Sequence, residues 1–169
     1  MDTKPKIALL AVAGAYLISK LTRASSKLSP LQFKAMVALK QVPSPIKTAT
    51  YISSGFGTRK HPVTGATHFH TGIDLPAPEG TVIYSPLAGT VVKNYNNSVG
   101  GNQLIIDSGA VTMGYAHLRT KSPLVVGTEV SKGQAIGEVG RTGRVTGAHL
   151  HFTVKLNGEY INPATIITL

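Results

Sequence analysis

From Ala49 onward this chain is written in short runs: Thr81–Tyr84, Gly89–Lys93, Gln103–Asp107, Val111–Tyr115, Gln134–Val139 and Leu150–Leu156. Most are bounded by Gly, Pro or Asn, and several alternate with a period of two. Runs this short, rich in β-branched residues and cut by turn signals, suit half-buried strands better than helices. A parallel sheet would need long amphipathic crossovers between strands, and the C-terminal two-thirds offers none. The pattern predicts a mainly β chain organised as an antiparallel sheet. With 42% hydrophobic residues the chain can bury a real core, and its 169 residues suit one ordinary domain plus a tail.

The N-terminal part reads differently. Ile7–Ser19 is an uncharged apolar run with Lys4 and Lys6 before it and Lys20, Arg23 and Lys27 after it. It is shorter than the roughly 18–20 residues that span a bilayer comfortably. Three readings stay open. It is a signal peptide with Ala11-Val12-Ala13 as its cleavage site, an anchor lengthened by snorkelling lysines, or a helix buried in an assembly. The anchor reading implies membrane association through residues 7–21. Ser29-Pro30 supplies an N-cap and a first-turn proline, and Leu31, Ala35, Met36 and Leu39 recur at helical spacing. A short helix is therefore predicted over about 30–40, so one or two short helices precede the sheet. Pro43 and Pro45 end this helix, and 42–47 reads as a linker. The chain divides into 1–28 (anchor or signal-like), 29–48 (helix and linker) and 49–169 (main domain).

Charge follows the same division. Ten of the 17 Lys/Arg but only one of the seven Asp/Glu lie in residues 1–60, so the formal charge of +10 belongs almost wholly to the N-terminal third. A basic leader can bind anionic lipid, nucleic acid or wall polymer. The chain lacks the stacking aromatics and compact basic fold of a nucleic-acid binder, so that partner is not expected. There is no cysteine, which excludes disulfides and leaves His and carboxylate as the available metal ligands.

Five of the six histidines fall in three clusters: His68-Phe69-His70, His117 within Tyr115–Leu118, and His149-Leu150-His151. Asp74 follows His70 by four residues. In a strand His149 and His151 share a face about 7 Å apart, with Leu150 and Phe152 turned into the core. That spacing suits one metal ligand and one neighbour aimed at a metal-activated water. His70 and Asp74 would lie about 13 Å apart on a flat strand, so the backbone must bend between them, and Gly72 is the residue expected to allow it. A bent segment offering His70 and Asp74, with one His from a distant strand, supplies three zinc ligands and leaves a fourth position open, the catalytic type of site.

The stretches SGFGTRKHPVTG (54–65), HTGIDLPAPEGTVIYSPLAGTVV (70–92), YAHL (115–118), VSKGQAIGEVGRTGRVTGAHLHF (130–152) and NGEYINP (157–163) resemble the lysostaphin-like (LytM-type) zinc endopeptidases that cut peptidoglycan. The resemblance covers nearly two-thirds of the chain. It implies an antiparallel β-sheet domain with a zinc groove, one zinc ion held by His70, Asp74 and His151, and His117 and His149 as non-ligand residues that handle protons and steady the oxyanion. Which of the two does which is not decided by sequence. The family's common Glu after HLHF is Thr153 here. His68 matches no ligand position, and His61, in the Arg-x-His-Pro stretch, reads as structural. The substrate implied is a stem or bridge peptide of the wall, lying extended in a groove that the loops 97–101 and 140–147 can line. The location implied is extracytoplasmic: a membrane-associated hydrolase of the bacterial envelope, or a lysin in a phage virion alongside capsid or tail proteins. The competing reading is a non-catalytic wall-binding or virion module on the same fold.

Overall fold

The computed structural model describes residues 28–38, 42–60 and 67–169. The apolar run 7–19, with the anchor and signal readings placed on it, and His61 lie outside them. Among the described residues no helix is long and apolar enough to cross a membrane.

The predicted helix is α1 (Pro30–Ala38). It opens on a reciprocal cap. The Ser29 backbone N–H donates to Gln32 Oε1 at 2.8 Å, and the Gln32 N–H donates to Ser29 Oγ at 3.2 Å. Two first-turn donors with no intrahelical acceptor are satisfied this way. Phe33 and Met36 face inward and join Leu28, Val42, Ile46 and Ala49 in the same core as the strands. The segment 42–47, read as a linker, is thus packed structure. Ser44 N–H donates to Thr168 O at 3.0 Å, and Tyr84 N–H donates to Pro45 O at 2.8 Å.

The strands are β1 (Gly57–Lys60), β2 (Thr67–His70), β3 (Gly72–Pro76), β4 (Val82–Tyr84), β5 (Gly89–Asn97), β6 (Gly101–Asp107), β7 (Val111–Leu118), β8 (Glu129–Val130), β9 (Ala135–Glu138), β10 (His149–Leu156) and β11 (Glu159–Ile161), followed by a 3-10 turn at Pro163–Thr165. The main sheet is antiparallel, in the order β11-β10-β7-β6-β5-β8. Strand β3 pairs with residues 149–153 of β10 while β11 pairs with 154–156, so the two share one edge of β10 and β7 holds the other. Strands β1 and β2 form a separate hairpin, and β4 pairs with β9.

All six predicted strands are present, with ends moved by a few residues. Strands β1, β2, β3, β8 and β11 were not anticipated. They are short, and β1 and β2 carry Gly, Thr, Arg, Lys and His where an apolar alternation would be expected. The alternation along β10 shows how the fold serves the site. Leu150, Phe152 and Val154 are buried in the core, and His149, His151 and Thr153 face the other way, half-buried. Beneath them Tyr115 and Phe152, directly opposite each other, pack with ring centroids 5.4 Å apart.

Candidate metal centre

Register does most of the assembly. His151 on β10 lies directly opposite Asp74 on β3. Opposed residues of an antiparallel pair put their side chains on one face. His151 Nδ1 is 2.8 Å from Asp74 Oδ1. His70 ends β2, and Thr71 alone separates it from β3; His70 Nε2 lies 3.1 Å from Asp74 Oδ1 and 2.9 Å from His151 Nδ1.

Gly72 is required for a different reason than a bend. Its φ is not among the positive values of the chain, but a Cβ there would lie 2.3 Å from Phe152 O. What Gly72 permits is close approach of β3 to β10, which sets the distance from Asp74 to His151.

Hydrogen bonding around the three groups decides whether they suit a cation. His70 Nδ1 lies 2.7 Å from Gly55 O. A carbonyl accepts only, so the His70 proton sits on Nδ1 and a lone pair on Nε2 faces the carboxylate. Burial pushes the Asp74 carboxyl pKa up, but the hydrogen bond from His151 and the nearness of the His70 and His151 rings outweigh it, and the net shift is well below the ordinary carboxylate range. The three candidate ligand atoms lie within 4.8 Å of one another. Around a tetrahedral zinc with bonds of about 2.0–2.1 Å, ligand atoms are roughly 3.3 Å apart. The observed separations of 2.8–3.1 Å approach that spacing, with two imidazoles and a carboxylate as donors. The residues fit one zinc ion.

His117 reaches the same groove by breaking the strand pattern. Between the pairs Asn102↔Leu118 and Leu104↔Tyr115, β7 holds one residue more than β6. The result is a bulge at Ala116–His117, and His117 takes φ +64, a left-handed conformation costing a non-glycine residue roughly 1 kcal/mol or more. The loops 97–101 and 140–147 hold it there. His117 N–H donates to Gly100 O at 2.8 Å, and its Nδ1–H donates to Thr142 O at 2.8 Å. Thr142 Oγ1 donates to Leu118 O at 2.7 Å and accepts from Asn102 N–H at 3.0 Å, while Arg144 N–H donates to Val99 O at 2.9 Å. A Cβ on Gly143, whose φ is +80, would lie 2.4 Å from both Gly101 N and Val99 O, so the two loops can close only on glycine.

His149 is anchored likewise, Nδ1–H to Gly147 O at 2.9 Å, and its Nε2 is 3.8 Å from Asp74 Oδ1. The His117 and His149 rings lie 4.8 Å apart. Burial lowers the His117 pKa; the Thr142 carbonyl and Asp74 pull it up, His149 and His151 push it down, and the net direction is down. All five candidate site residues therefore share one groove, a cavity of about 510 Å³. Its lining also takes in Arg59, His68 and Phe69 from the β1–β2 hairpin, and Val99 and Arg144 from the two loops. His68 lines the groove but stands apart from the metal triad. Sequence reasoning did not single out Arg59, Phe69, Thr142 or Arg144. For Thr142 and Arg144 the signal was their position within the 140–147 loop and the matching stretch 130–152.

Residues 68–163 match the family model for peptidase family M23. The chain belongs to this family. M23 peptidases are zinc-dependent, in agreement with the donor set found here. Among its relatives, the peptidoglycan DD-endopeptidase ShyC of Vibrio cholerae is 42% identical over 117 residues, which is 68% of this chain and 27% of ShyC. The chain thus spans about a quarter of the length of the curated relatives it matches. A zinc-containing peptidase from Vibrio cholerae superposes with a TM-score of 0.68 at 36% identity, covering 75% of this chain and 39% of that one. The catalytic domain of lysostaphin from Staphylococcus simulans superposes with a TM-score of 0.58 at 31% identity, covering 68% and 89%. The antiparallel fold and the lysostaphin-like resemblance read from the sequence are both borne out.

Proposed function

We propose that this chain is a zinc-dependent endopeptidase that hydrolyses stem or cross-link peptides of bacterial peptidoglycan. The observation that carries the reading is convergence. His70 Nε2, Asp74 Oδ1 and His151 Nδ1 meet at one point of a groove, and His117 and His149, both tied back through Nδ1, face that same groove. In this reading His70, Asp74 and His151 hold the zinc. When bound, the metal supplies Lewis-acid activation of water and of the scissile carbonyl.

The chain's own groups supply the proton traffic. With Nδ1–H donated to a backbone carbonyl, each of His117 and His149 has Nε2 available, an acceptor when neutral and a donor once protonated. Burial favours the neutral form of His117, which suits it to take the proton of the attacking water. His149, beside Asp74, is then the group that donates to the tetrahedral oxyanion in its protonated form. The left-handed backbone at His117 is the strain accepted for aiming that ring. A substrate strand lies extended between the β1–β2 hairpin and the loops 97–101 and 140–147.

A wall substrate places the reaction outside the cytoplasm, and the basic-flanked apolar run within 7–21 is proposed as the element that keeps the domain at a membrane. A phage-borne setting would change the location of the reaction and none of its residues. The test is release of new amino groups from purified peptidoglycan by the full chain and by His151→Ala, each after chelation and after zinc is restored. Activity lost on chelation, recovered with zinc and absent in the variant is the expected result. A folded, zinc-loaded wild type inactive on several wall types would overturn the enzyme reading and leave a wall-binding module.

A further inference from the structure

The groove is not electrically neutral, and its charges lie where a substrate has to pass. Its lining includes two arginines, Arg59 and Arg144, and one carboxylate, Asp74, already engaged with three histidines. The arginines come from different walls. Arg59 sits on β1 directly opposite His68 on β2, so both side chains share a face with His70, two residues on from His68. Arg144 stands on the loop pinned to Val99 and Gly100–Gly101, on the β6–β7 side of β10.

Their surroundings differ. Arg59 is part-buried and donates through Nη1 to Ser54 Oγ, which fixes its direction. Arg144 is exposed, and no side-chain hydrogen bond or ion pair holds it among the described residues. Arginine suits bidentate capture of a carboxylate, and a guanidinium facing the groove without a carboxylate partner is available for one. The second cavity, which shares Thr71, Gln103, Ala116 and His151 with the first, is lined instead by neutral polar groups such as Tyr95, Thr153 and Tyr160. The cleft therefore has a cationic part and a neutral hydrogen-bonding part meeting at the metal triad.

We propose that Arg144, backed by Arg59, reads a free carboxylate on the substrate peptide close to the scissile bond. The groove would then select peptides with a free carboxylate at that place over peptides of the same length in which it is amidated or absent. The inference rests on the peptidase reading above and names the chemistry of the substrate. Such a carboxylate has two possible sources, an acidic side chain within the stem and the C-terminus of the peptide. Both offer the same planar anion.

The experiment uses the full, zinc-loaded chain with short synthetic stem peptides in matched pairs. In one pair a side-chain carboxylate is free or amidated, and in the other the C-terminal carboxylate is free or amidated. The ratio of kcat/KM for acid over amide is expected to be about tenfold or more in one pair, as a charge-assisted hydrogen bond implies. That pair identifies the source. In Arg144→Gln the ratio should fall towards one, carried by KM more than kcat, and Arg144→Lys should recover part of it. Arg59→Gln should lower it as well. Because Arg144 is exposed and bonded through its backbone only, Arg144→Gln is expected to fold, which the Tm checks.

Dissociation constants of the same peptides, measured calorimetrically on the chelated chain, separate the two readings. Peptides that are not cleaved but bind carboxylate-dependently, with that dependence lost in Arg144→Gln, would retract the peptidase reading and support this one. Cleavage or binding with equal constants for acid and amide would overturn this inference and leave the peptidase reading standing. A preference unchanged in Arg144→Gln would overturn it too.

Discussion

Replacing Gly72 by alanine tests how the metal triad is positioned. The added Cβ would lie 2.3 Å from Phe152 O and 2.9 Å from both the Phe152 carbonyl carbon and Thr153 Cγ2. Two of those three atoms are backbone, so no side-chain rotation relieves the clash. Restoring ordinary contact requires β3 to move from β10 by roughly 1 Å, enough to take ladder bonds of about 2.9 Å past hydrogen-bonding length. Overpacking of this kind costs about 1–3 kcal/mol. The alanine also restricts the unfolded chain, which offsets about 0.4–1 kcal/mol. The net expectation is a loss of roughly 1–2 kcal/mol, or a Tm lower by a few degrees for a domain of this size.

The same displacement carries Asp74, two residues along β3, away from His151. Zinc affinity should fall about tenfold or more, the scale seen when groups that orient metal ligands are disturbed. Gly114→Ala is the control. There the added Cβ would meet only Thr153 Oγ1, at 2.4 Å, with Thr153 Cβ 3.8 Å away. A χ1 rotation clears that contact, so stability should change by no more than about 0.5 kcal/mol. Urea denaturation of the chelated protein gives the stability, and competition with a chromogenic chelator gives the zinc affinity. A Gly72→Ala protein as stable as wild type and with zinc affinity within twofold would refute the claim that backbone approach at Gly72 sets the site.

Three other expectations follow. His117→Ala should lower kcat at least about a hundredfold while zinc affinity stays within a few-fold of wild type, because His117 moves a proton and holds no metal in this reading. The acid limb of kcat/KM should lie below the ordinary imidazole value of about 6.5, because burial depresses the His117 pKa. The acceptor is lost as pH falls through that lowered value, so activity rises with pH there, and a limb at or above 6.5 would count against His117 as the acceptor. Ser29→Ala removes one half of the reciprocal cap on α1 and should destabilise the chain by about 1 kcal/mol in thermal or urea unfolding.

How much of the site could be read beforehand depended on how local its causes were. The strand identity of 150–156 and the shared face of His149 and His151 follow from a period of two, which any sheet would impose. The need for His70 and Asp74 to converge follows from strand dimensions. The strands that bring them together were missed, because β2 shows no apolar alternation and β3, where Ile73 and Leu75 flank Asp74, is only five residues long and bounded by Gly72 and Pro76. The role first assigned to Gly72 failed for a related reason. Glycine has two uses, a left-handed turn or a close approach, and the choice between them depends on which backbone lies alongside.

Residue chemistry and order along the chain determined that this protein is a β domain with a candidate His/Asp metal site, since no cysteine was available and the His clusters sit among strand residues. The resemblance to the lysostaphin-like peptidases, carried by that order of motifs, named all five candidate site residues. Only the tertiary structure decided that His151 pairs with Asp74 across β3–β10, that an extra residue in β7 swings His117 into the groove, and that Arg59 and Arg144 look into the same cleft. Periodicity is a property of one strand. Register, bulges and the meeting of two walls are relations between strands, set by hydrogen bonds among residues distant in sequence.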